Sequence, residues 1–84
     1  MQYPGTGDIL INSSPQGGSI FINGNVLIDI NGHSILTPAR ITAVGEGLHE
    51  VQISLDGYYS KKVFINIVPD QVNNISVTLQ SIYG

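Results

Sequence analysis

The sequence predicts an all-β fold, a small antiparallel sandwich of about seven or eight strands, on three observations. Thirteen Ile, seven Val and four Thr stand against two Ala, two Glu and two Lys, and β-branched side chains fit a pleated surface better than a helix. Apolar and polar residues alternate along most of the chain, and no helical period is sustained. Turn signals recur about every 8 to 12 residues, the spacing of strands in a two-sheet stack. A small open barrel would show the same alternation, so periodicity leaves that alternative open.

From Gly7 the chain places Ile9 and Ile11 on one face and Asp8, Leu10 and Asn12 on the other, which predicts a first strand over 7–13. Pro15-Gln16-Gly17-Gly18 then makes a turn, because proline presets φ and glycine accepts a positive φ after it. A second strand, 19–23, sets Ile20 and Ile22 against Phe21 and ends at Asn23-Gly24; a third, 26–31, ends at Asn31-Gly32. Asn-Gly between apolar runs is a strong hairpin signal, so two hairpins in succession are expected. Thr37-Pro38 forces an extended turn before 39–44, where Ile41 points inward, and Gly45-Glu46-Gly47 turns the chain back. Residues 48–56 alternate Val51, Ile53 and Leu55 with Glu50, Gln52 and Ser54, and Gly57 marks the turn into Tyr58 and Tyr59. Residues 60–68 set Val63, Ile65 and Ile67 against Lys62, Phe64 and Asn66; Pro69-Asp70 turns into a last strand over 72–80. The expected core is Ile9, Ile11, Ile20, Ile22, Ile41, Val51, Ile53, Leu55, Ile75, Val77 and Leu79.

At 84 residues the chain is one domain, 1–84, with a core over 7–80 and short tails at 1–6 and 81–84. Only 11% of residues are charged, while Asn, Gln, Ser and Thr number 24, so uncharged polar groups cover the surface. Three Lys and Arg against six Asp and Glu leave a net charge of −3. That balance offers no basic stripe for phosphates, and nucleic acid and anionic lipid are not expected as partners. Without cysteine there is neither a disulfide framework nor a thiolate nucleophile or metal ligand. No apolar run reaches the length of a transmembrane segment. Met1 to Gly7 lacks the basic and apolar regions of an export signal, so a role outside the cell implies a signal already removed or carried by a longer parent protein.

Each candidate for chemistry has a plainer reading beside it. His33 and His49 would need a third ligand such as Asp29 or Glu50 to hold a metal, and His49 and Glu50 point to opposite faces of a strand. The expectation is His49 packed at a strand start, His33 in a hairpin turn, and no metal or cofactor. Asp29-Ile30-Asn31-Gly32 resembles the start of a calcium loop but lacks its remaining ligands, and reads as a turn. Serines abound without a G-x-S-x-G elbow or S-x-x-K pattern, so no catalytic residue and no enzyme is expected. Tyr58 and Tyr59 diverge by alternation: Tyr58 covers the end of the core with its hydroxyl bonded to backbone, and Tyr59 is the candidate ligand contact, able to stack on a sugar ring. Asn12-Ser13-Ser14 and Asn74-Ile75-Ser76 fit the glycosylation acceptor pattern, making Asn12 and Asn74 candidate sites against about one match expected by chance. Lys61-Lys62 reads as protection of a sheet edge. Ser19 to Ile30, Val63 to Val68 and Ile75 to Leu79 contain one charge between them, Asp29, so an edge among them is a template for another chain. The tails carry Tyr3 and Pro4, and Ile82 and Tyr83, and are too short to form hairpins alone; these four are candidate subunit contacts through strand addition to a neighbour.

These residues, taken in order, resemble the PEGA domain, a small β module of archaeal and bacterial surface and envelope proteins with similarity to S-layer proteins. The family opens with a glycine, an alternating strand, a serine, a P-E-G-A turn and a strand ending in a V-x-I-D-G-like element. Gly7, Ile9, Ile11, Ser14, Pro15-Gln16-Gly17-Gly18, Ile20, Ile22, Asn23 and Gly24 stand at those places, with Gln for Glu and Gly for Ala. Thr37-Pro38 and Ile41 match the G-x-T-P element and the aliphatic after it, with Ile35 at the glycine position. Gly47, His49, Val51 and Gly57-Tyr58 follow at the family's spacing, and Val77 and Leu79 match its closing strand. Val26 to Ser34 exceeds the family's usual link, which implies an inserted strand or hairpin. The resemblance implies an immunoglobulin-like or prealbumin-like sandwich at the cell surface, extracellular, without catalytic residues. The function expected from it is a structural module that self-assembles into, or forms part of, a lattice, sheath or filament, with itself or neighbouring domains as partners. The alternative is a glycan- or peptide-binding module of a larger envelope protein; a passive spacer would make no contact at all.

Overall fold

A computed structural model describes residues 5–83 and contains seven strands: β1 (Thr6–Ser14), β2 (Ser19–Ile22), β3 (Asn25–Val26), β4 (Ala39–Gly45), β5 (Gly47–Ser54), β6 (Lys61–Ile67) and β7 (Val72–Thr78). They form a three-stranded sheet in the order β4-β1-β7 and a four-stranded sheet in the order β3-β2-β5-β6, with no helix among the described residues. Alternation does what it predicts. Ile9, Ile11, Ile20, Val51 and Ile53 are fully buried between the sheets, joined by Ile67, Ile75, Val77 and Leu79. Ile22, Ile41 and Leu55 of the expected core are partly buried and pack against that cluster. Ile67, inward on its strand, is a core residue in its own right at 2% exposure.

One pairing departs from the antiparallel expectation. β7 runs parallel to β1, in unbroken register from Asp8↔Val72 to Ser14↔Thr78. Its predecessor β6 belongs to the other sheet, so the link over residues 68–71 crosses the sandwich and delivers β7 at the end where β1 begins. Asn73 fastens that crossing: its Oδ1 accepts the Val68 N–H at 3.2 Å, and its Nδ2 donates to Asp8 O at 3.1 Å and Val68 O at 3.3 Å.

The first expected hairpin is present. Asn23 (φ 52°) and Gly24 (φ 86°) form its two-residue loop, both in the left-handed region that a type I′ turn requires, and Ile22↔Asn25 and Phe21↔Val26 follow as pairs. The second shrinks to one bridge, Ile28↔Ser34, around a turn in which Asp29 Oδ1 accepts the N–H groups of Asn31 (2.8 Å) and His33 (3.0 Å). Thus the 26–31 run is strand only at its start. Residues 27–36 form a finger beside β2, tied by Leu27 N–H to Ile20 O and the Ser19↔Leu36 bridge, with Ile30 fully exposed. This finger is where the excess length of the Val26 to Ser34 link goes.

Between β1 and β4 a bulge sets two residues of β4 against Asp8, with Ala43 at φ 58°. Beside it, Asp8 Oδ2 accepts from Arg40 Nη2 at 2.8 Å and Nε at 3.1 Å. The Arg40 guanidinium holds the Asp8 carboxyl below its ordinary value of 3.8. A lowered folded pKa means the pair adds stability above the ordinary value and loses it as pH falls through the folded one. Asp8→Asn is therefore expected to lower the denaturant midpoint at neutral pH, with the difference from wild type closing in acid; a gap unchanged down to about pH 2 would contradict the assignment.

Candidate functional site

The candidate residues lie at the two ends of the sandwich and on the outer faces of its sheets. At one end, the β1–β2 turn is stitched to Thr37. Gly17 N–H donates to Thr37 O and Thr37 N–H to Gly18 O, both at 2.9 Å. The buried Thr37 Oγ1 accepts the N–H groups of Gly18 (3.0 Å) and Gly17 (3.2 Å) and lies 2.6 Å from Ser13 Oγ, which is itself 2.8 Å from Pro15 O. A hydroxyl carries one proton, and that of Ser13 goes to Pro15 O, so Thr37 must donate to Ser13. The network is closed and faces inward; it holds the loop and offers no group to a ligand. Nothing in the alternation reveals Ser13 as part of it, because serine is common at strand ends.

At the same end the C-terminal segment folds back over the β5–β6 turn. Tyr59 N–H donates to Gln80 O (2.8 Å), Ile82 N–H to Gly57 O (3.0 Å), and Tyr58 bridges Ser81. Gly57 has φ 85°, the left-handed turn conformation expected of it, and a Cβ there would stand 3.6 Å from Tyr83 Cε2. Tyr83 therefore lies over the glycine. The candidate ligand contact Tyr59 and the candidate subunit contacts Ile82 and Tyr83 thus share one surface, exposed by 60%, 44% and 85%. Tyr3 and Pro4 lie outside the described residues.

Tyr58 is half-buried and packs on the core as expected, but its hydroxyl finds no hydrogen-bond partner among the described residues. Its backbone N–H donates to Leu55 O at 3.0 Å, so among the described residues the link from Tyr58 to the turn is made by backbone and not by the hydroxyl. Tyr58→Phe is accordingly expected to change stability by less than about 0.5 kcal/mol, whereas a loss near 1 kcal/mol in urea unfolding would point to a bonded hydroxyl.

At the opposite end His49 sits near the start of β5. Asn23 Oδ1 accepts the Glu50 N–H (3.0 Å), which turns Asn23 Nδ2 toward His49 Nδ1 (2.9 Å), and His49 Nε2 donates to Gly45 O (2.7 Å). Both ring nitrogens are engaged in holding two turns together, as a packed histidine at a strand start does. His33 is in the finger's turn, its Nδ1 3.9 Å from Asp29 Oδ2. Among the described residues no group of three His, Cys, Asp or Glu side chains is placed to hold a metal. A shallow hollow of about 340 Å³ is lined by Thr6, Gly7, Asp8, Arg40, Asp70 and Gln71. Two of its three charged side chains, Asp8 and Arg40, are already paired with each other.

Asn12 and Asn74 are exposed on the outer face of the three-stranded sheet, on neighbouring strands; Asn12 is paired in register with Ser76, the hydroxyl residue of the other acceptor pattern. The outer face of the four-stranded sheet carries Leu48 (69% exposed), Phe64 (66%) and Val26 (42%). Lys61 and Lys62 lie on β6, which is an edge strand, and Lys62 Nζ stands 3.4 Å from Glu50 Oε1 of the neighbouring β5.

The family model of the PEGA domain matches residues 6–82, nearly the whole described chain. The chain belongs to the PEGA domain family. Among curated proteins none matches it. PEGA domains are surface-associated modules of larger proteins, and no helix among the described residues is long and apolar enough to cross a membrane. The PEGA turn is the one locked by Thr37 of the T-P element, some twenty residues away in sequence. Its last position also accounts for one departure from the family pattern. A Cβ on Gly18 would lie 2.5 Å from Ile53 Cγ2, so with a β-branched residue at 53 the turn closes on the sheet only with glycine at 18.

Proposed function

We propose that this PEGA domain is a non-enzymatic structural module of the cell exterior that associates with copies of itself or with neighbouring domains, as part of a lattice, sheath or filament. The observation that carries this reading is the outer face of the β3-β2-β5-β6 sheet. A sheet face meant for water is polar along its length, yet here Leu48, Phe64 and Val26 stand exposed on three of its strands. Surface chemistry elsewhere agrees: a charged fraction of 11% gives little repulsion between copies. Sedimentation velocity over a wide concentration range, with electron microscopy of the concentrated sample, tests the reading. Ordered assemblies support it; a monodisperse monomer throughout contradicts association of the domain with copies of itself.

A second reading rests on a different observation, the exposed Tyr59 and Tyr83 at one end. Aromatic faces of this kind stack on sugars, and the domain would then be a glycan-binding module of a larger envelope protein. Retention on a glycan array that is lost in Tyr59→Ala with stability unchanged favours this reading over the first.

A further inference from the structure

We propose that the free edge of β7 pairs antiparallel with β7 of a second copy, joining two three-stranded sheets into one of six strands. The inference rests on the self-association reading and names its contact.

Two sheets present four edges, and three of them are guarded. β3 has two residues and runs into the finger. β4 is kinked by the bulge at Ala43 and carries Arg40. β6 begins with Lys61 and Lys62. Short length, bulges and lysine are the means by which sheet edges avoid pairing. β7 has none of them: Val-Asn-Asn-Ile-Ser-Val-Thr contains no charge, no proline and no bulge, and holds register with β1 over all seven residues. Among the described residues no loop or side chain hydrogen-bonds the backbone of 72–78 from outside the sheet.

The occupant follows from self-complementarity. An antiparallel two-fold centred on Ile75 gives the longest overlap, setting Asn74 beside Ser76 and Val72 beside Thr78 of the mate on the exposed face. Every such pair is uncharged, so the copies meet without like-charge opposition. A single seven-residue edge pair falls in the size class of weak contacts. Its effect is largest where copies are held together in one array and pairing becomes intramolecular.

The test is sedimentation equilibrium on the wild-type domain and two variants, Asn74→Lys/Ser76→Lys and Asn74→Glu/Ser76→Glu. Both positions are exposed, so circular dichroism should show the fold retained. Like charges meeting across the two-fold should weaken association of each variant by roughly tenfold, and an equimolar mixture of the two should restore it. If either variant fails to fold, Val72→Lys/Thr78→Lys and its glutamate counterpart probe the outer pairs of the same register. Wild-type association undiminished in all variants overturns the β7 assignment and leaves the self-association reading standing. A wild type that stays monomeric at every concentration overturns both.

Discussion

Ile53→Ala is expected to lower the unfolding free energy by about 2–5 kcal/mol, the range for deleting most of a fully buried isoleucine and leaving a cavity. Ile53 has no exposed surface, pairs with Ile20 on one side and Lys61 on the other, and sets its Cγ2 against the Gly18 turn. Loss there is felt by both the central strand pair and the turn. For a domain of this size the whole stability is about 4–13 kcal/mol, so a urea midpoint should fall by a large fraction. A midpoint left unchanged would place Ile53 outside the core.

Thr37→Val should be nearly as costly, although it keeps the shape of the side chain. Valine removes the acceptor of the Gly18 N–H and the donor to Ser13 Oγ, while Gly17 N–H keeps its bond to Thr37 O. One orphaned buried amide and one lost hydroxyl bond together predict a loss of about 2–4 kcal/mol. A double-mutant cycle with Ser13→Ala locates the effect. The two changes should be less than additive, because Ser13 and Thr37 share one chain of hydrogen bonds. Strict additivity would mean the hydroxyls act separately.

The core was legible because a strand with one buried face writes that face at every second residue, as Ile9 and Ile11, Val51 and Ile53, and Val77 and Leu79 do. The type I′ hairpin was legible because Asn23-Gly24 are the residues its dihedrals demand. What alternation does not encode is which strand lies beside which, and in what direction; the parallel β1–β7 pair follows from residues 68–71 crossing to the other sheet at the end where β1 begins. Nor does it say whether an apolar run has a layer to pack against. Ile28 and Ile30 continue the pattern of Ile20 and Ile22, yet they project on the finger at 55% and 100% exposure. Tyr58 shows the same limit for polar atoms, since its ring packs as expected while its hydroxyl has no hydrogen-bond partner among the described residues. At the candidate site, Tyr59 could be picked out as an exposed aromatic. Its neighbours Ile82 and Tyr83 could not be brought to it without the backbone bond from Ile82 to Gly57. The openness of β7 follows from composition only after the sheet order shows it to be an edge.

Amide hydrogen exchange along 72–78, measured at low and high protein concentration, tests the self-associating account most directly. Amides of β7 that face away from β1 should exchange freely in dilute protein and gain protection as concentration rises, while those of the bulged strand β4 and the lysine-bearing strand β6 do not change. Exchange along β7 that is independent of concentration, in samples shown by sedimentation to be fully monomeric throughout, would contradict the account.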